Sequence, residues 1–183
     1  MSILPPGGQT WLGPSSSAPA NSSSIMPHTI HPCHLNNVLA MGGNLWCHYF
    51  RCQGYGLITR ITFIVGTQSG AMQVGVYDDT GSGAGAPPGL LLASAPQQGV
   101  PAAGVSSSVL STPINVDPSM YLAIATDNGT CTFACFGANF QSNASLTVLP
   151  GFAYQQAGSA YPLPAIAAPT AAERNAIYGL YGS

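Results

Sequence analysis

Between Gly70 and Ser94 the chain reads GAMQVGVYDDTGSGAGAPPGLLLAS, and one rhythm governs that stretch. Met72, Val74 and Val76 alternate with Gln73, Gly75 and Tyr77. Successive side chains of a strand point to opposite faces, so this period, filled with β-branched and aromatic residues, predicts a strand with one face buried. The chain then turns through Asp78, Asp79, Thr80 and Gly81, where Asx side chains bond nearby backbone and glycine accepts positive φ. After a Gly/Ala/Pro connection, Leu90, Leu91 and Leu92 form an apolar run too short for a free-standing helix. The rest of the chain is expected to complete the sheet that this hairpin begins.

The same rhythm recurs on both sides. After residues 35–40 and Gly42-Gly43, residues 45–51 form the first candidate strand, and residues 57–65 a second, more strongly patterned one. In the latter, Leu57, Thr59, Ile61, Phe63 and Val65 share one face, with Ile58, Arg60, Thr62 and Ile64 on the other. At 105–111, Val105, Ser107, Val109 and Ser111 alternate with Ser106, Ser108 and Leu110. Residues 113–118 read as a connection and 120–126 as a strand. Asp127-Asn128-Gly129 carries the Asn-Gly pair that favours a tight hairpin, so 130–136 is expected to pair back on that strand. Residues 146–149 form a weaker strand, and 151–169 is loop-like. Thr170 and Glu173 have the spacing of a capping box, which predicts a helical turn or two, and 177–181 is a candidate last strand.

About eight or nine short strands without a sustained helical period predict an all-β fold, an antiparallel β-sandwich that is jelly-roll-like. This domain takes in residues 35–183. Residues 1–34 form an extended N-terminal arm: the stretch up to Pro32 is rich in Pro, Gly, Ser and Asn, and proline fixes φ and removes donors. Within the arm Trp11, Leu12, Ile25 and Ile30 are isolated apolar residues, the candidate anchors for a partner.

Charge narrows the function. Only 4% of the 183 residues are charged, against about 25% in ordinary globular chains. There is no lysine; the basic residues are Arg51, Arg60 and Arg174, and the acids are Asp78, Asp79, Asp117, Asp127 and Glu173. Three scattered arginines cannot supply the counterion release that nucleic-acid binding needs, so no nucleic acid is expected as a partner. A net charge of −2 gives little colloidal repulsion, which suits burial in an assembly better than life as a free monomer. No apolar run approaches the roughly 18–20 residues of a membrane span, and the first residues have neither a basic nor an apolar region of a secretion signal. The expectation is a protein made in a cytosol, with no membrane contact.

The chain carries few residues suited to catalysis. The acids form no recognisable pair, and nucleophile-elbow, phosphate-loop and zinc-helix motifs are lacking, so the chain is expected not to be an enzyme and to need no cofactor. Asp78 and Asp79 lack the alternating ladder of a calcium loop. His28, His31, Cys33 and His34, with Cys47, His48 and Cys52 further on, are the right donors for zinc. Their HTIHPCH spacing matches no established knuckle, and the expectation is that no metal is bound. Cys131 and Cys135 lie about 13 Å apart along a strand, beyond the reach of a bridge. Each instead faces a neighbouring strand, which makes Cys47 and Cys52 their candidate disulfide partners. The five cysteines leave at least one thiol free or linked to another chain, and Cys33 is the candidate for such a link. The tail aromatics Phe152, Tyr154, Tyr161, Tyr178 and Tyr181 suit either sugar stacking or, preferably, a protein interface.

The order ITRITFIVGT, AMQVGVYDDTG, PPGLLLAS, SMYLAIATDNGT and a late YPLPAI resembles a loose group of jelly-roll proteins encoded among the structural genes of tailed bacteriophages. The resemblance covers residues 45–166. It implies a non-enzymatic virion structural protein, either a capsid decoration (cement) protein bridging neighbouring shell subunits, the favoured role, or part of a fibre or tail appendage. The implied partners are the major capsid protein and copies of itself as a trimer or dimer, on the outer surface of a particle assembled in the host cytoplasm. Related patterns in carbohydrate-binding sandwiches imply the alternative, a receptor- or glycan-binding module of a tail fibre, baseplate or head appendage.

Overall fold

The computed structural model describes residues 37–40, 47–52, 55–81, 86–135, 153–158, 161–172 and 181–182. Among them every regular element is a strand. In chain order these are β1 (Asn37–Ala40), β2 (Cys47–Arg51), β3 (Gly56–Thr67), β4 (Ala71–Asp79), β5 (Pro88–Ser94), β6 (Gln98–Gly99), β7 (Gly104–Val116), β8 (Tyr121–Thr126), β9 (Thr132–Cys135), β10 (Ala153–Gln156), β11 (Ala171–Ala172) and β12 (Tyr181–Gly182). One sheet has the order β1-β9-β3-β12, with β7 also paired to β3. The other runs β11-β10-β2-β8-β4-β5, with β6 also paired to β4. All of these pairings are antiparallel. The all-β antiparallel expectation therefore holds for the described residues, and their arrangement is compatible with a β-sandwich. The arm, 1–34, lies outside them.

Period-two patterning builds the core between the sheets. From one sheet come Ile58, Ile61, Phe63, Val65, Leu110, Val116 and Phe133. From the other come Phe50, Met72, Val74, Val76, Leu122 and Ile124, all in the same buried cluster. Phe63 and Phe133 meet edge to face with centroids 5.9 Å apart. Each large apolar side chain buried here stabilises the fold by roughly 1.5–3 kcal/mol before chain entropy is charged against it.

Three local expectations fail, each for a physical reason. First, the shared face expected for Leu57, Thr59, Ile61, Phe63 and Val65 is broken by a bulge. Ile58 pairs with Ile114 but Arg60 pairs with Val109, so residues 110–113 stand opposite Thr59 alone. A bulge shifts the alternation to the other side. Ile58 is therefore fully buried and Leu57 57% exposed, while Ile61, Phe63 and Val65 regain the inner face. Pro113 sits in this irregular stretch, a place that tolerates a missing donor. The expected connection at 113–118 is thus strand as far as Val116.

Second, Asn128-Gly129 does not make a hairpin. β9 pairs with β1 and β3 in the opposite sheet, so the turn is a crossover. Gly129 lacks the positive φ that the tight hairpin turn needs. Instead Asn128 Oδ1 accepts from the amides of Thr130 and Cys131, at 2.9 and 3.1 Å. Asp127 Oδ1 accepts from the Ala71 amide at 2.8 Å, and the Asp127 amide donates to the Ala71 carbonyl. These bonds tie the turn to the start of β4. Gly70, at φ +67°, permits the approach, since a Cβ there would lie 1.8 Å from Asn128 Nδ2.

Third, the helix expected at Thr170 is replaced by β11. The Thr170 amide donates to the Gln155 carbonyl, and the hydroxyl that would cap a helix accepts from the Ala157 amide. Ala171 and Ala172 then pair with Gln155 and Tyr154. β10 itself lies in the segment expected to be loop. The candidate strand at 146–149 falls outside the described residues, and of the one at 177–181 only Tyr181 is described, in β12.

Candidate interaction surface

The two sheets differ in what lies on the side away from the core. On the seven-stranded sheet, Cys47 and Tyr49 of β2, Tyr77 of β4, and Tyr121, Ala123 and Ala125 of β8 form a second buried cluster. The expectation that β4 buries one face is therefore corrected: both faces are covered. The cover is the chain's own residues 161–172, with Leu163 and Ala167 packed into that cluster. Gln73 Oε1 accepts from the Leu163 amide at 3.0 Å, and the Tyr77 hydroxyl donates to the Pro164 carbonyl at 2.6 Å. The Leu91 amide donates to the Ala165 carbonyl, and the Ala167 amide to that of Gly89. Gln156 Oε1 accepts from both the Tyr49 hydroxyl and the Ala168 amide, at 2.7 and 2.8 Å. Gly75 makes room for this layer, since a Cβ would meet the Ala93 carbonyl oxygen and Leu163 Cδ1 at 2.8 Å. The phenols stack as well as donate: Tyr49 and Tyr77 cross edge to face at 5.1 Å, Tyr121 and Tyr154 at 5.9 Å. The Tyr121 hydroxyl donates to the Ala86 carbonyl.

On the other sheet the corresponding face is far less covered. Directly opposed residues share a face, so the pairs Arg60–Val109, Thr62–Ser107 and Ile64–Val105 stand opposite the inward Ile61, Phe63 and Val65. Val105 is 70% exposed and Val109 59%. Only Thr62, where β12 pairs, is buried on this face. The inward positions of β7 include Ser108, 3% exposed, whose Oγ accepts from Gln98 Nε2 at 2.8 Å. Among the described residues β7 pairs with β3 alone and ends its sheet. β5 ends the other, and there Leu90 and Ile166 face each other across an isolated bridge, both exposed, with Leu92 exposed nearby. These apolar positions escaped the sequence reading because serines occupy the inward sites of β7, and only Leu110 signals which face is which.

The described carboxylates are each tied to the backbone. Asp79 accepts from Arg51 Nη2 at 3.0 Å and from the Gly81 amide at 2.9 Å. Asp78 accepts from the Leu90 amide, and Asp117 from the Ser119 amide at 2.7 Å. Together with Asp127 on Ala71, every described carboxylate holds a backbone amide, the charge-assisted bond that fixes a turn. Arg51 also donates from Nε to the Tyr121 hydroxyl at 3.2 Å, with its guanidinium 5.1 Å from that ring centroid. Glu173 lies outside the described residues.

The cysteines require a correction. Cys47, Cys52 and Cys131 are free and buried, so the expected bridges between them do not form. Cys47 lies in the outer tyrosine cluster and Cys52 in the core, on opposite sides of the sheet. Cys131 precedes β9, which pairs with neither β2 nor β8, so the expected cross-strand partner is not beside it. Burial pushes the Cys47 thiol up to about 12 and that of Cys131 to about 11. Burial also raises Cys52, with the Asp117 carboxylate adding to it. Such thiols stay protonated and unreactive at neutral pH. Cys135 is described only as backbone of β9.

The remaining candidates divide between the described and the undescribed. Trp11, Leu12, Ile25, Ile30, His28, His31, Cys33 and His34 lie outside the described residues, as do Phe152 and Tyr178. His48, buried and stacked on Phe50 at 6.4 Å, points to the opposite side from Cys47, so the two cannot share a metal. Among the described residues no three His, Cys, Asp or Glu side chains gather as a metal site. Nor is any described helix long and apolar enough to cross a membrane. Of the tail aromatics, Tyr154 packs on Tyr121 and Tyr161 donates to Gln97 Oε1 at 3.2 Å. Both are half-buried and pack against the fold's own outer cluster. Tyr181 is described as backbone alone, in β12. Comparison with family models, curated proteins and solved structures finds no match.

Proposed function

We propose that this protein is a non-enzymatic structural component of a tailed-bacteriophage particle: a jelly-roll sandwich with an extended arm that decorates the capsid and bridges neighbouring shell subunits. One observation carries the reading. The described carboxylates are all engaged in holding turns, while large apolar side chains stand exposed on β5 and β7, the strands that end the two sheets. Such a surface offers apolar contacts and, along β7, a backbone edge to a neighbour, and little to a charged substrate. In a shell, contacts of this kind across a seam add to the lattice's resistance to internal pressure. The arm, with Trp11, Leu12, Ile25 and Ile30, would strap the domain to the major capsid protein or to another copy.

Adding the purified chain to undecorated shells tests the proposal. Saturable binding on the order of hundreds of copies per particle, matching the symmetry of the shell lattice, is the expected result. Specific, saturable binding to a glycan array with no affinity for shells would overturn it in favour of a receptor-binding module. A copy number of about a dozen or fewer would place the protein on a tail or appendage instead.

A further inference from the structure

Among the described residues the edge of β7 away from β3 pairs with no strand, and β5 of the other sheet packs beside β7 without bonding to it. Natural edge strands are blunted by charges, prolines or bulges that stop another strand from adding. In β7 the bulge at 110–113 and Pro113 do this for the second half only. Residues 104–109, GVSSSV, carry no charge, proline or register shift, and pair regularly with β3 from Val65 to Arg60. Since β3 takes the backbone groups on one side, alternate residues of this segment present N–H and C=O to the other. Among the described residues no strand takes them.

The segment is also its own complement. Val105-Ser106-Ser107-Ser108-Val109 reads the same in both directions about Ser107. We infer that β7 pairs antiparallel with β7 of a second copy, on a two-fold axis at Ser107. In that register Val105 faces Val109 of the other copy twice, on the exposed side of the sheet. Ser107 faces itself, and Ser106 faces Ser108 on the inner side. β-branched residues directly opposite one another are favourable cross-strand pairs. No like charges meet, because Arg60 lies one strand back, beside Val109, and the axis carries the other Arg60 to the far end of the segment. A closed two-fold contact of this kind joins the sheets of two molecules and removes both edges. Six residues span about 20 Å, and an edge that long buries roughly 400 Å² per partner, below the roughly 800 Å² of a stable free complex. The dimer is therefore weak in dilute solution and fills where copies are concentrated. This inference does not depend on where the protein works.

The test is a charge swap read by sedimentation of the full chain over a wide concentration range. Val105→Lys with Val109→Lys sets like charges opposite at both rungs and weakens association at least about tenfold. Val105→Lys with Val109→Glu sets opposite charges at the same rungs and restores it, with added salt sensitivity. Because Val109→Lys also brings a second positive charge against Arg60, at a cost to the fold itself, Ser107→Cys gives a second reading. Directly opposed residues have Cα atoms about 4.5–5.5 Å apart, within disulfide reach. Under mild oxidation this variant cross-links to a covalent dimer, and Ser111→Cys, which does not face itself, does so far more slowly. A chain that stays monomeric at every concentration overturns the inference. So do equal behaviour of the two charge variants, which would mean a different surface, and equal cross-linking at 107 and 111.

Discussion

The outer faces of the two sheets are built from different residues and meet different fates. On the seven-stranded sheet, Tyr49, Tyr77 and Tyr121 stand beside Gly75, Ala123 and Ala125, and residues 161–172 close over them. On the β3–β7 face, Val105, Ser107 and Val109 stand beside Arg60 and Ile64, and among the described residues only β12 reaches it, at Ile61 and Thr62. Large rings next to small residues leave shaped gaps that a covering segment can fill, and phenols keep a hydroxyl with which to hold its backbone. Valines and serines of similar height form a flat surface that lacks such gaps. The first face is finished by the chain itself. The second, with the β7 edge beside it, stays exposed at Val105 and Val109.

That contrast can be broken most strongly with alkali. Tyr121 is held up to about 12 by burial, and burial raises Tyr49 and Tyr77 as well. These groups and the buried thiols are neutral when protonated, and their folded values lie above the unfolded ones. The stability they contribute is fully present below about pH 9, the ordinary thiol value, and is lost as pH rises through about 11 to 12. Each group costs at most about 1.4 kcal/mol per pH unit in that window. Denaturation series from pH 8 upward should show a steep fall that is shallower for Tyr121→Phe. A flat profile would mean that the outer cluster is not closed.

Gly75→Val comes next. Its side chain would drive into the Ala93 carbonyl and Leu163, and a loss of about 3 kcal/mol in denaturant unfolding is expected. Tyr77→Phe removes the hydroxyl that bonds to Pro164 and meets Tyr49, which should cost about 1 kcal/mol and speed amide exchange in 161–172. On the other face, Val109→Thr should change stability by less than about 0.5 kcal/mol. A large loss there would show that the chain itself covers that face.

The alternation in 57–65, 72–77 and 120–126 was enough to place β3, β4 and β8 and to mark Met72, Val74 and Val76 as core. The bulge at Thr59 was not legible, because Leu57 and Ile58 are both apolar and a register shift depends on the partner strand. The crossover at Asn128 was hidden behind a dipeptide that favours hairpins, and the competing bonds come from Ala71, distant in sequence. The covering of the outer face did leave a sign. β8, YLAIAT, is apolar at both parities except for its final threonine, the mark of a strand buried on both sides. The free thiols could not be read from spacing, since they depend on which sheet β9 joins.

Hydrogen exchange of the full chain at increasing concentration compares the two regions in one experiment. Amides of 104–109 that face the free edge should exchange quickly when dilute and become protected as the protein is concentrated, while those of β8 stay protected throughout. Protection of 104–109 that is already complete at the lowest concentration, or that never develops, would contradict an edge reserved for a second copy.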